Sequence, residues 1–160
     1  MNSDKKNVLQ AIGGIAGGML IALTVTAQAP PTYENVASTM QIMHTMVIPS
    51  SNALFDVGSK EPKNDAEWSI LRDQAVVLAE SANLLLMPGR ATPVLPGKGK
   101  SIGKGAALSP DWVKASRMLR TAGKTAVSAI DKRDVDTLLG DVGDQILMSC
   151  STCHETYLKK

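Results

Sequence analysis

Aromatic residues are nearly missing from this sequence. Tyr33, Phe55, Trp68, Trp112 and Tyr157 are the full set among 160 residues, although apolar residues as a class reach 44%. An apolar fraction carried by Ala, Leu, Val and Met reads as helical. A core without aromatic bulk also leaves space for a large flat group. No stretch alternates apolar and polar residues as a half-buried strand would, and no segment repeats. Excess charge is scarce too. The formal net charge is +2, and no long basic run interleaves with aromatics, which argues against nucleic acid as a partner. Cysteine occurs only twice, at Cys150 and Cys153. The length fits one domain with one core.

The start of the chain is set apart by its composition. Lys5 and Lys6 precede an apolar stretch from Val8 to Val25 that is interrupted by Gln10, Gly13, Gly14, Gly17 and Gly18. Small residues follow through Ala27 and Ala29. This order of basic, apolar and small-residue zones is that of a secretory signal peptide, with cleavage after Ala27 favoured because Pro30 hinders cleavage after Ala29. The competing reading is a retained anchor, since the stretch is close to the ~18 residues that span a bilayer. Residues 1–27 are therefore expected to be a signal peptide or anchor, and residues 28–160 an exported, periplasmic domain. A bridge between Cys150 and Cys153 would close a tiny ring and constrain almost nothing, so in an exported chain this pair needs a chemical explanation.

Four helical segments are expected after the leader. The first runs from about Thr32 to Val57, with Val36, Met40, Met43 and Val47 as one apolar face and Pro49 as a kink or break. The second opens at Asn64 with Glu67 in capping-box spacing, buries Trp68, Leu71, Ala75, Leu78, Ala82 and Leu85, and stops at Pro88-Gly89. Residues 88–108 form a long basic loop containing Arg90, Lys98, Lys100 and Lys104, either a solvated linker or a docking surface for an acidic partner. Ser109-Pro110-Asp111 opens the third helix, whose buried face is Trp112, Ala115, Leu119, Ala122, Ala126 and Ala129. The fourth begins near Asp134 and includes Val135, Leu138, Leu139, Val142, Ile146 and Leu147. The fold class expected is all-α, an antiparallel four-helix bundle.

The fourth helix ends in Cys150-Ser151-Thr152-Cys153-His154. C-x-x-C-H is the attachment signal of c-type haem. Residues three and four apart share a helix face, so both sulfurs can form thioethers with the haem vinyl groups while the His154 imidazole reaches the iron from the same side. Other uses of the pair fit less well. A dithiol oxidoreductase places C-x-x-C at the start of a helix that follows a strand, and a zinc site needs further Cys or His ligands that the sequence lacks. Only Glu155 to Lys160 follow the motif, and none is Met or His, so a ligand on the opposite haem face must come from upstream. The first helix offers Met40, Met43, His44 and Met46. Met43 is the first choice, Met40 the second, and His44 lies off the stripe; methionine as flexible core filler is the competing reading.

The C-terminal C-x-x-C-H, the helical pattern and the upstream ligand zone resemble class II cytochromes c, the cytochrome c-prime family, over about residues 32–160. The stretches Pro49 to Phe55, Leu78 to Leu85 and Met87 to Arg90 resemble a branch of it, and Cys150 to Tyr157 is the most specific part. The resemblance implies a haem c held by Cys150 and Cys153, with His154 as proximal iron ligand and Met43 as sixth ligand in a low-spin member. The family's first-helix arginine has no counterpart, because Thr32 to Val57 contains no Arg. Arg72 and Arg90 are then the candidates to meet the haem propionates.

The function expected is one-electron transfer rather than enzymatic turnover, with redox proteins as partners. A homodimer is possible, and membrane contact follows only if the N-terminal segment is retained. The alternatives are a five-coordinate haem that binds a small gas molecule, or a haem subunit of a membrane complex.

Overall fold

The computed structural model describes residues 33–90, 103–104 and 107–158, all within a compact unit running from Tyr33 to Lys160. The signal-peptide or anchor segment and loop residues Lys98 and Lys100 lie outside the described residues. The fold class is all-α. The first helical run comprises α1 (Thr39–Ile42), a π-helical turn (Met43–Val47), α2 (Ile48–Phe55) and a 3-10 turn (Asp56–Gly58). Then come α3 (Asp65–Leu85) and α4 (Pro110–Asp131). The last run joins α5 (Val135–Thr137), a second π turn (Leu138–Val142) and α6 (Gly143–Tyr157). Among the described residues the only extended pairing is a two-residue antiparallel ladder, β1 (Gly103–Lys104) with β2 (Ala107–Leu108).

Caps decide where these helices begin. Ser38 and Gln41 form a full capping box before α1, each side chain bonding the other's backbone N–H. Asn64 caps α3 through Glu67 N–H, as its spacing predicts. The Glu67 carboxylate, however, accepts from Lys63 N–H and Asn64 Nδ2 rather than closing a box on Asn64 N–H. Ser109 caps α4 with Pro110 in its first turn. The second helix ends at Leu85, three residues before Pro88, and Gly89 takes a positive φ of 74° in the turn that follows, a conformation that suits glycine.

The buried faces expected for α3 and α4 are all buried: Trp68, Leu71, Ala75, Leu78, Ala82 and Leu85 against Trp112, Ala115, Leu119, Ala122, Ala126 and Ala129. The two helices come very close, because a Cβ at Gly123 would lie 2.7 Å from the Ala79 backbone nitrogen. The face expected for the first helix holds at Val47, which is buried, and Met43, which is half-buried, and is corrected at Val36 and Met40. Val36 precedes the helix and is 89% exposed, and Met40 is exposed, whereas Ile42 and Val47 are buried. Val36 is exposed because the helix starts only at Thr39; between Ile42 and Val47 lies a π turn, in which Ile48 N–H bonds to Met43 carbonyl. Its longer repeat puts residues five apart on one side, so Ile42 and Val47 align. The same turn lies one turn before Pro49, where a regular helix would drive the ring into the Thr45 carbonyl. The helix therefore continues through Pro49 instead of breaking.

Polar contacts fix the helix directions. Trp112 Nε1 donates to Leu85 carbonyl at 2.7 Å, tying the start of α4 to the end of α3. Arg72 and Asp131, paired at 2.8 Å, and Arg133 and Asp65 link the opposite ends of those helices. The Tyr157 ring meets Trp112 edge-on at 5.3 Å, and its hydroxyl bonds Ser109, so α6 ends where α4 begins. Ser149 Oγ donates to Ala115 carbonyl at 2.9 Å within that contact. Asn35 Nδ2 donates to Pro88 carbonyl at 2.7 Å, and Arg90 to Ala37 carbonyl, bringing the start of the first run to the end of α3. Among the described residues no helix is long and apolar enough to cross a membrane.

Candidate functional site

Cys150, Cys153 and His154 occupy the last two turns of α6, where Leu158 N–H still bonds His154 carbonyl at 2.9 Å. The turns are held from behind by Tyr157 on Trp112 and Ser109. Cys153 points to the core, Cys150 is half-buried, and His154 is exposed. Both thiols are free. Burial pushes the Cys150 thiol above its ordinary value. Burial, with the neighbouring Cys150 adding to it, pushes Cys153 up to about 11. The negative end of the helix dipole works in the same direction. Thiols in this setting are poor thiolate nucleophiles, the reverse of what a dithiol oxidoreductase needs. Among the described residues no three His, Cys, Asp or Glu side chains gather into a metal-holding group, so a zinc site of that composition has no basis there.

The face of the last run that carries Cys150 and His154 can be followed along its length. Within α6, Gly143, Leu147, Cys150 and His154 succeed one another at helical spacing, and Leu139 precedes them in the π turn. At one end the first run covers this face: a Cβ at Gly58 would lie 3.2 Å from Leu139 Cδ2, and one at Gly143 3.9 Å from Phe55 Cε1. As the first run advances from 55 to 58, its partner falls from 143 to 139, so the two runs are antiparallel. At the other end cover is lost. Leu147 is 55% exposed and His154 is exposed.

Extending that antiparallel register at the α-helical rise of roughly 1.5 Å per residue gives about 18 Å from Phe55 back to Met43 and about 16 Å from Gly143 forward to His154. Met43 is half-buried and packs against the core, as does Met46, while Met40 (38% exposed) and His44 are exposed. The π turn starts at Met43, and such turns recur at functional sites.

The two arginines proposed for haem propionates are otherwise engaged. Arg72 pairs with Asp131. Arg90 donates to the carbonyls of Leu84 and Ala37, and burial lowers its pKa. Sequence reasoning missed this clamp, and it missed the Tyr157–Ser109–Trp112–Leu85 chain that steadies the motif, because side-chain bonds to remote carbonyls leave no periodic trace. Comparison with protein-family models, curated proteins and solved structures finds no match for this chain.

Proposed function

We propose that this protein is an exported one-electron carrier, a c-type cytochrome resembling class II, built as an antiparallel four-helix bundle with one covalently attached haem. The observation that carries the reading is the placement of C-x-x-C-H on a helix face that the first run covers at one end and leaves open at the motif. The residues present are compatible with a haem: two free thiols and an exposed imidazole share one end of α6, and the first run carries the half-buried Met43 thioether. Haem bound there would supply an iron centre that alternates between ferric and ferrous states.

The chain's own residues have separate tasks. Cys150 and Cys153 anchor the group to a helix end braced by Tyr157, Trp112 and Ser109. His154 would supply nitrogen to the iron of that group. Met43 would be the candidate second protein ligand, and a Met/His pair would hold the potential above that of two imidazoles. Two protein ligands to the iron would leave no bond-making site, which suits a carrier rather than an enzyme. Half-burial of Met43 at the π turn favours it over exposed Met40 and His44.

The test is the visible spectrum of protein matured with haem. A low-spin ferric form with the far-red Met-to-iron band, converted to high spin by Met43→Ala and unaffected by Met40→Ala, is expected. A high-spin ferric spectrum indifferent to Met43→Ala removes the sixth ligand and turns the reading toward small-gas binding. Failure of Cys150 and Cys153 to take up haem removes the whole reading.

A further inference from the structure

The surface of α4 that faces away from α3 is unlike the rest of the molecule. From Trp112 to Ile130 the helix contains no acid, yet it carries Lys114, Arg117, Arg120 and Lys124 in a chain whose net charge is only +2. Arg120 is half-buried and donates to Asn83 Oδ1 at 3.1 Å. Lys114, Arg117 and Lys124 are exposed and follow the i, i+3, i+10 spacing of one face. Among the described residues the ion pairs are Lys60–Asp56, Arg72–Asp131 and Arg133–Asp65, so none of these three cations is paired with a described acid.

Beside this row, α4 and α6 leave an open groove of about 570 Å³. Its apolar lining comes from Pro110, Val113, Met118 and Met148, and Lys114 and Arg117 form its rim. Met148 is 60% exposed. An apolar floor with a charged margin is the anatomy of a protein interface, in which Met and Arg are over-represented. Met also adapts its shape to different side chains. A flat anionic bilayer would match the charge but not the concavity. A second copy of the same surface would oppose cation to cation.

We propose that this groove docks an acidic segment of a partner protein, with one apolar side chain seated between Met118 and Met148 and carboxylates facing Lys114 and Arg117. The surface goes beyond the carrier reading, because it rests on α4 and α6 side chains that do not include the motif. It lies on another side of the helix that bears Cys150 and Cys153, so in a carrier the docked partner would sit one helix away from the attached group.

The experiment uses the full chain and two short fluorescein-labelled glutamate-rich peptides that differ only in a central leucine or serine. Anisotropy is read at low and at physiological salt. The leucine peptide is expected to bind about fivefold tighter than the serine peptide. Lys114→Glu with Arg117→Glu should weaken it about tenfold, and Lys60→Glu with Lys63→Glu should leave it unchanged. Equal effects of the two charge reversals, or no preference for leucine, overturn the proposal. Binding to phosphatidylglycerol vesicles but to neither peptide, or self-association through α4, also overturns it, in favour of a membrane or a second copy. Because nothing is read from the motif, a negative result here is distinct from absence of haem.

Discussion

Arg133 sits at φ 55°, the left-handed region that costs an L side chain roughly 1–2 kcal/mol. The conformation is required because Arg133 N–H bonds Ile130 carbonyl and Asp134 N–H bonds Ala129 carbonyl, closing α4 in the arrangement usually completed by glycine. Its compensation is an exposed pair with Asp65, and exposed pairs contribute about 0–1 kcal/mol. Arg133→Gly is therefore expected to raise stability by about 0.5–1 kcal/mol, seen as a higher urea midpoint; a lower midpoint would mean the Asp65 pair outweighs the backbone strain. The next residue sets a pH dependence. Asp134 accepts from Thr137 N–H at 3.0 Å and from its hydroxyl at 2.7 Å, and these bonds, with Lys132 adding, hold its carboxyl below the ordinary value. A depressed folded pKa contributes stability that is fully present above the unfolded pKa and lost as pH falls through the folded one. Asp134→Asn keeps a capping oxygen without the charge. The wild-type advantage over it should shrink between about pH 5 and pH 2, and a constant difference across that range would contradict the assignment.

At the level of elements, α3 and α4 are joined by small residues. Ala in place of Gly123 would gain about 1 kcal/mol of helix propensity, but its Cβ would stand 2.7 Å from the Ala79 nitrogen and 2.9 Å from Ala79 Cα. Backbone cannot step aside as a flexible side chain can, and overpacking of this kind costs about 1–3 kcal/mol. Gly123→Ala should lower stability by roughly 1–2 kcal/mol net; an unchanged or raised melting temperature would show that the helices slide apart freely. These two helices were also the most legible in the sequence. Both keep regular α geometry from cap to end, so Trp68 to Leu85 and Trp112 to Ala129 fall on one face at the ordinary spacing. In the first run Val47 was legible but buried Ile42 was missed, because Met43–Val47 is wound as a π turn with a bond across five residues, and no propensity announces one. Serines were missed for a related reason. Ser50, Ser51, Ser81, Ser116 and Ser149 are buried, and apolar patterning reads them as surface. Ser51, Ser81 and Ser149 satisfy their hydroxyls on the carbonyls of Val47, Leu78 and Ala115. The motif itself was legible as five consecutive letters, and its bracing by Tyr157 was not, because that partner lies on another helix.

Across the whole molecule, the closed and open ends of the first and last runs have an energetic consequence. Cys153 is part of the buried core and Cys150 packs against it, but the α3/α4 layer and Phe55 on Gly143 are built from other side chains, so the helices should assemble whether or not the motif is loaded. The large apolar side chains that the first and last runs leave in water include Leu147, 55% exposed, Ile48, 46%, and Met40, 38%. Burying a large aliphatic side chain contributes about 1.5–3 kcal/mol, and a partial gain at each of these positions amounts to roughly 3 kcal/mol. In a domain of this size that corresponds to about 10 °C in Tm. Protein carrying covalent haem should therefore melt about 10 °C above the Cys150→Ala/Cys153→Ala variant, while both show the same far-ultraviolet helical signal at room temperature. Loss of helical signal in the variant would mean that attachment is needed to assemble the core, contrary to its independence in the structure. Equal melting temperatures would mean that the attached group lies on the surface of α6 and does not fill the open face between the two runs. Met43 would then have no reason to meet the iron, and the two-ligand carrier would give way to a haem exposed on one side.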